Sequence, residues 1–253
     1  MVGVYFSGTG NTRYCLERFV AKVEPSAQSI SITDPEVKKR IKENQNIVFG
    51  YPIYFSNLPK IVRDFIEENK ALFHDKKIFI IATMGLFSGD GAGCSARLFK
   101  KYGATIVGGL HVKMPDCVGD SKALKKPLDR NRELVKKAEH KIDEAAKRLK
   151  EGKPLKQGIN IWYHIAGLFG QRLWYYSKTR NYSKDLKIDL NKCIGCGKCT
   201  RVCPMNNLHI KENKPVADGN CTMCYRCISN CPKQAITLHG KEVYEQCKIE
   251  RYI

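Results

Sequence analysis

The sequence predicts an α/β fold: a doubly wound, parallel five-stranded sheet followed by a small α+β module. Three observations carry that expectation. Short apolar runs alternate with amphipathic helical patterns over residues 1–151. A loop of Ser, Gly and Thr stands directly between the first run and the first helix. Near the C-terminus, a four-cysteine motif occurs twice. A chain of 253 residues suits one large or two modest domains.

Residues 1–6, Met-Val-Gly-Val-Tyr-Phe, read as a short buried strand. Ser7, Gly8, Thr9, Gly10, Asn11 and Thr12 follow, and then a helix with Cys15, Leu16, Phe19, Val20 and Val23 on one face. A strand, a small polar loop and a helix start together make an anion site, because free backbone N–H groups and hydroxyls converge there. The loop lacks both the lysine-bearing pattern of nucleoside triphosphatases and the G-x-G-x-x-G of dinucleotide folds. It contains no basic side chain, so a phosphate in it is held by neutral donors. Further along, strands are expected at 28–32, 46–51, 77–84 and 104–113. Helices are expected at 35–44, 59–69 (opened by Pro59), 92–102 and 129–150. Alternation of this kind implies a parallel sheet covered on both faces.

Ser-Gly-Thr-Gly-Asn-Thr after the first strand resembles the FMN phosphate loop of flavodoxins. The resemblance implies strand order 2-1-3-4-5, with the ligand beyond the strand C-termini at the topological switch. Three loops are selected as the FMN site. The first is residues 7–12. The second contains Pro52, Ile53, Tyr54, Phe55, Ser56 and Asn57. The third contains Thr83, Met84, Gly85, Leu86, Phe87, Gly89, Asp90 and Gly91. Tyr54 or Phe55 is expected to form one flat wall for the flavin and Leu86 or Phe87 the other. Gly85, Gly89 and Gly91 are expected to let backbone approach its polar edge. Residues 112–118 are similar to a Met-Pro-x-Asn-Tyr motif of related fusion proteins. Cys117 and Val118 stand where Asn and Tyr are common, so no role is assigned there. Cys15, Cys94 and Cys247 read as spare thiols.

From 152 to 186 the composition changes to an aromatic-rich linker containing Trp162, His164, Phe169, Trp174, Tyr175 and Tyr176. It is too polar to span a bilayer. It is expected to pack the two domains together. An interfacial membrane helix and one wall of a substrate site are the sharper alternatives. His164 is read as a surface or interface residue.

Residues 187–253 hold the cysteine repeat and a C-terminal tail. Cys193, Cys196, Cys199 and Cys203 are matched, one for one, by Cys221, Cys224, Cys227 and Cys231, and each half closes on proline. C-x2-C-x2-C-x3-C-P is the pattern that holds [4Fe–4S] clusters in bacterial ferredoxins. Three close cysteines wrap three corners of a cube, and the fourth is carried off toward the other cube. One cluster therefore takes Cys193, Cys196, Cys199 and Cys231, and the other takes Cys221, Cys224, Cys227 and Cys203. Zinc also uses C-x2-C pairs, but as two pairs with a spacer. With so short a chain, the clusters serve as the core, and apo-protein is expected to lose its fold here.

The formal net charge is +19. Two clusters and FMN together bring about −2 each, which leaves the protein basic. The basic residues are spread over both halves, as a solvated surface that also steers an acidic redox partner. No nucleic-acid motif accompanies them. Eight cysteines in cluster spacing and the absence of an export signal point to the cytoplasm.

The whole resembles the flavodoxin–ferredoxin fusion family. That resemblance implies FMN in the first domain, two [4Fe–4S] clusters in the second, and electron transfer between them and redox partner proteins, a donor and an acceptor. A flavin-dependent reductase of a quinone, nitro compound or corrinoid is the alternative. A cluster-based sensor or nucleic-acid-associated protein is the third reading. The flavin and nearest cluster could meet within one chain or across a homodimer.

Overall fold

The computed structural model describes residues 1–169, 173 and 182–253. Its strands β1 (Val2–Tyr5), β2 (Gln28–Ser31), β3 (Asn46–Pro52), β4 (Lys77–Met84) and β5 (Thr105–Lys113) form one sheet in the order β2-β1-β3-β4-β5. All four pairings are parallel. Helices α1 (Asn11–Val23), α2 (Val37–Glu43), α3 (Lys60–Glu68), α4 (Gly91–Lys101) and α5 (Leu128–Lys150) fill the connections. Helices α2 to α5 each lie within two residues of their expected bounds. Pro59 is the N-cap of α3 rather than its first helical residue.

Successive side chains of a strand point to opposite faces, so the sheet has two cores. Val4, Phe49, Tyr51, Ile78 and Ile80 pack with α2, α3 and α4 on one side. Val48, Phe79, Ile81, Leu110 and Val112 pack with α1 and α5 on the other. A strand buried on both faces must be apolar throughout, which is why these segments read as runs rather than alternations.

After α5 the chain returns along the open edge of the sheet. The Gly109 N–H donates to the Leu155 carbonyl at 2.8 Å, and the Gln157 N–H donates to the Gly109 carbonyl at 2.9 Å. Helix α6 (Ile161–Gly167) follows, with Asn160 as its N-cap. It docks on the start of α4: His164 Nδ1 meets Asp90 Oδ2 at 2.9 Å, and the Tyr163 ring lies edge-on to His111. These contacts of α6 run to the first domain, and Trp162 is left 74% exposed. His164 is an interface residue, as expected. Trp174, Tyr175 and Tyr176 lie outside the described residues.

The C-terminal module is built on two short antiparallel pairs. β6 (Lys187–Ile188) pairs with β9 (Ile236–Thr237), and β7 (Leu208–Lys211) with β8 (Lys214–Ala217). Helices α7 (Lys198–Val202) and α8 (Arg226–Asn230) complete it. The module does not hang free. Tyr54, Phe55 and Val118 of the first domain pack on its core, and its Cys224 belongs to a core of the first domain. The tail then crosses back. The Ile249 N–H donates to the Thr9 carbonyl at 3.0 Å, and Ile249 and Tyr252 bury themselves beside α1 and α5. Among the described residues, no helix is long and apolar enough to cross a membrane.

Candidate functional site: a flavin cavity walled by a cluster-binding module

A cavity of about 540 Å³ opens beyond the C-terminal ends of β1, β3, β4 and β5. That volume is in the range of small-molecule and cofactor sites. The first loop supplies Ser7, Gly8, Thr9, Asn11 and Thr12. The second supplies Pro52, Ile53, Tyr54 and Phe55, and the third supplies Thr83, Met84, Gly85, Leu86 and Phe87. Three loops that are distant in sequence meet here because the strand order reverses between β1 and β3.

Six of the expected residues stand outside this lining. Gly10 is the left-handed N-cap of α1 and lies under Ile249. Ser56 and Asn57 form the turn that closes the second loop, where the Asn57 N–H donates to the Tyr54 carbonyl at 3.0 Å. Gly89, Asp90 and Gly91 begin α4 below the cavity. Gly89 makes room for Gly167 and Gly91 for Ile53. Asp90 is fully buried and paired to Arg97 at 2.7 Å. The third loop therefore leaves the cavity after Phe87.

Two walls were not anticipated. Met114, Pro115, Asp116, Cys117 and Val118 form a fourth loop along the cavity. Their likeness to a fusion-protein motif was the available signal, and the unusual Cys117 and Val118 masked it. The fifth wall is Met223, Cys224, Tyr225 and His239, all from the cysteine module. Gly8 is in such close contact with the Cys224 carbonyl that a Cβ there would collide with it. No feature of either motif alone signals that contact.

The chemistry of the lining suits FMN. Asn11 donates through Nδ2 to the Pro115 carbonyl at 2.8 Å, while its Oδ1 is buried with no donor among the described residues. A hydroxyl of FMN would supply that missing donor. Backbone N–H groups of the first turn of α1 have no intrahelical acceptor and face the loop, as a phosphate requires. Burial pushes the Tyr54 phenol and the Cys117 thiol well up, so both present neutral groups. Behind the phosphate loop, Arg226 donates through NH2 to the Ser7 carbonyl at 2.8 Å and lies over the Phe6 ring.

The eight repeat cysteines are gathered in two sets. Cys193, Cys196, Cys199 and Cys231 line one cavity, and Cys203, Cys221, Cys224 and Cys227 line another. Each set takes its fourth member from the other half of the repeat. Backbone N–H groups point at sulfurs in matched places: Asn207 to Cys203 and Ala235 to Cys231, both at 3.4 Å. Such bonds stabilise cluster thiolates.

Residues 3–105 match the flavodoxin domain family, and residues 185–233 match the 4Fe-4S dicluster domain family. The chain belongs to the flavodoxin–ferredoxin fusions. Its cofactors are accordingly FMN and two [4Fe–4S] clusters, and its two domains are those of electron-transfer proteins. The fusion is 40% identical over 55 residues to a ferredoxin from Methanothermococcus thermolithotrophicus, which covers 20% of this chain and 92% of that protein. It is 42% identical over 52 residues to an uncharacterised protein of Methanocaldococcus jannaschii, covering 21% of this chain. The match spans only 20% of that relative's length. Among solved structures, the two-electron reduced Megasphaera elsdenii flavodoxin is 22% identical with a TM-score of 0.44, and covers 58% of this chain and 99% of that one.

Proposed function

We propose that the fusion is a self-contained electron relay. Electrons pass between an outer cluster held by Cys193, Cys196, Cys199 and Cys231, an inner cluster held by Cys203, Cys221, Cys224 and Cys227, and FMN in the cavity. The observation that carries this reading is the double membership of Cys224, which lines both the inner cysteine cavity and the flavin cavity. Bound cubic clusters relay one electron at a time, and bound FMN stores one or two with protons. The protein's part is to bind, orient and tune. Ser7, Gly8, Thr9 and Thr12 would hold the phosphate, and Asn11 would accept from a ribityl hydroxyl. Tyr54, Met223 and Tyr225 close the flavin site on the cluster side and keep water from the gap between centres. No side chain is needed as acid, base or nucleophile for the relay.

Electrons are expected to leave, or arrive, where the cavity is open. Leu86 and Phe87 line it and are exposed, so an apolar edge is available to a redox partner or a small acceptor. This supports a flavin-face reductase as the second reading. Trp162 and Tyr163, which would have favoured it further, do not line the cavity.

The test is anaerobic stopped-flow on holoprotein carrying about eight irons and one FMN per chain. Cluster bleaching followed by flavin bleaching, at a rate independent of protein concentration, is the expected result. A flavin rate that rises in proportion to protein concentration means transfer between molecules and ends the reading.

A further inference from the structure

The two cysteine cavities are differently placed. Cys224 and Cys227 of the inner set are buried. In the outer set Cys196 is exposed, and the neighbouring Ile194 is 59% exposed. The loop around them is ringed by cations. Lys192, Lys198, Arg201, Lys211, Lys214 and Lys233 are all exposed there, against the two carboxylates Asp189 and Glu212. The ring is a product of the fold. Lys198 and Lys233 line the cavity itself, and Arg201 donates to the Cys196 carbonyl at 3.2 Å. The β7–β8 hairpin brings Ile210 and Pro215 to the cavity, which sets Lys211 and Lys214 at its rim. Asp189 is paired to Lys192 at 3.7 Å, which offsets one of these cations and leaves the face with an excess of positive charge.

We propose that this face, centred on Ile194 and Cys196, docks an acidic one-electron carrier protein. The carrier would be a ferredoxin-type partner whose own exposed centre is ringed by carboxylates. The inference rests on the reading of Cys193, Cys196, Cys199 and Cys231 as the outer ligands. A small apolar tip inside a charged rim is the form of a transient interface, in which charge sets orientation and on-rate while little area is buried. The position of the ring also argues for a redox partner. The charge surrounds the most exposed thiol of the eight, where a carrier's centre gains its closest approach. In the docked pair, one electron leaves the carrier's iron–sulfur centre and one enters the outer cluster; no bond forms or breaks and no proton moves.

The experiment uses anaerobic, oxidised holoprotein and, as the probe, an acidic two-cluster bacterial ferredoxin. Binding is measured by calorimetry at about 50 and about 200 mM salt, across which screening changes markedly. The triple reversal Lys192→Glu, Lys211→Glu and Lys214→Glu, at exposed rim positions outside the cavity lining, is compared with Lys136→Glu and Lys150→Glu on α5. Iron content and visible spectrum confirm that each variant is loaded. The expected result is at least about tenfold weaker binding for the triple reversal at low salt, with a flattened salt dependence, and little change for the α5 pair. Equal affinity for the triple reversal and the parent overturns the proposal. So does an equal loss in both variants, which means undirected charge attraction. So does a triple reversal that loses binding to anionic lipid vesicles while keeping the ferredoxin. The underlying relay is checked separately with dithionite, which needs no docking. Flavin reduction through the clusters that survives in the triple reversal leaves the relay standing whatever the ferredoxin does. A parent that binds ferredoxin but never reduces its flavin overturns the relay and leaves the docking face intact.

Discussion

Replacing Asp120 tests whether the two domains are one functional body. Asp120 is 1% exposed and lies just after the fourth cavity loop, yet among the described residues its carboxylate's hydrogen bonds all run to the cluster module. Its Oδ2 accepts from the Leu238, His239 and Gly240 N–H groups at 2.6, 2.9 and 3.1 Å, and its Oδ1 accepts from the Tyr225 hydroxyl at 3.0 Å. Burial alone pushes this carboxyl up, but the four donors outweigh it and hold it below the ordinary carboxylate value. Asp120→Ala strands three backbone N–H groups and a phenol. Each orphan costs about 1–3 kcal/mol and water recovers part of it, so a loss of about 3–5 kcal/mol is expected. In a chain of this size that is a fall of about 10 °C in the melting temperature. Asp120→Asn should cost only about 1–2 kcal/mol, because the amide oxygen still accepts from the backbone trio while its NH2 donates to the Tyr225 oxygen. Because the folded carboxyl is more acidic than the unfolded one, its contribution is fully present above the unfolded value. It is lost as pH falls through the lower, folded value, and the Asn variant should lack this acid limb. The assay is thermal unfolding of holoprotein followed at the flavin and cluster bands, with stopped-flow transfer on the same samples. The Ala variant should show both a lower melting temperature and slower cluster-to-flavin transfer. If it melts and transfers like the parent, the interdomain clamp is not what joins the centres.

Three further outcomes are expected. Burial, with Lys141 adding to it and Asp90 opposing, takes His111 from 6.5 down to about 4. The native state should therefore lose up to roughly 3 kcal/mol as pH falls from about 6.5 to about 4 and change little above that window. His111→Gln should flatten this limb in urea midpoints read by flavin fluorescence, and an unaltered acid slope refutes the assignment. Arg226→Gln removes the cation between Ser7 and Cys224, so FMN affinity should fall by about tenfold in a fluorescence titration, equivalent to about 1.4 kcal/mol; unchanged affinity excludes a role at the phosphate loop. Iron chelation under reducing conditions should expose residues 187–253 to protease while the parallel sheet stays protected, because cluster thiolates supply that module's interior. Continued protection of the module would show that it folds without metal.

How much of this was legible in the sequence depended on the range of the interaction that fixes each part. The five strands were readable because burial on both faces forces local apolar runs such as Ile78–Phe79–Ile80–Ile81. Ser7, Gly8, Thr9, Asn11 and Thr12 were readable as cavity lining because they lie within one strand-to-helix turn. The crossed cysteine sets were readable because the repeat itself dictates which sulfur is carried away. The sequence suggests a third loop reaching to Gly91, whereas Gly89, Asp90 and Gly91 do not line the cavity. Its glycines answer to close packing against Gly167 and Ile53, which looks in sequence like room for a ligand. Met223, Tyr225 and His239 were missed as cavity residues for a deeper reason. They reach the flavin site only through docking of two modules, and that docking hangs on contacts such as Asp120 with Gly240 that have no local signature.

The departures from symmetry within the cysteine repeat carry the remaining information. The turn that wraps a cluster needs two residues in the left-handed region. The first half uses Gly195 (φ 68°) and Gly197 (φ 66°) for it. The second half places Met223 (φ 56°) and Tyr225 (φ 58°) in the same two places. A side chain there costs on the order of 1 kcal/mol per residue, and such strain persists only where surrounding contacts hold it. Here those contacts are the flavin cavity and Asp120. The remaining differences follow the same division. Exposed Ile194 corresponds to buried Thr222, exposed Arg201 to buried Ser229, and solvent-facing Lys198 to Arg226, which is spent on Ser7. One half of the internal repeat therefore carries glycines and exposed side chains at a solvent-facing surface, the face proposed above for docking. The other has accepted backbone strain to become a wall of the flavin site. That polarity gives the relay an outside and an inside, a distinction that two identical halves could not make.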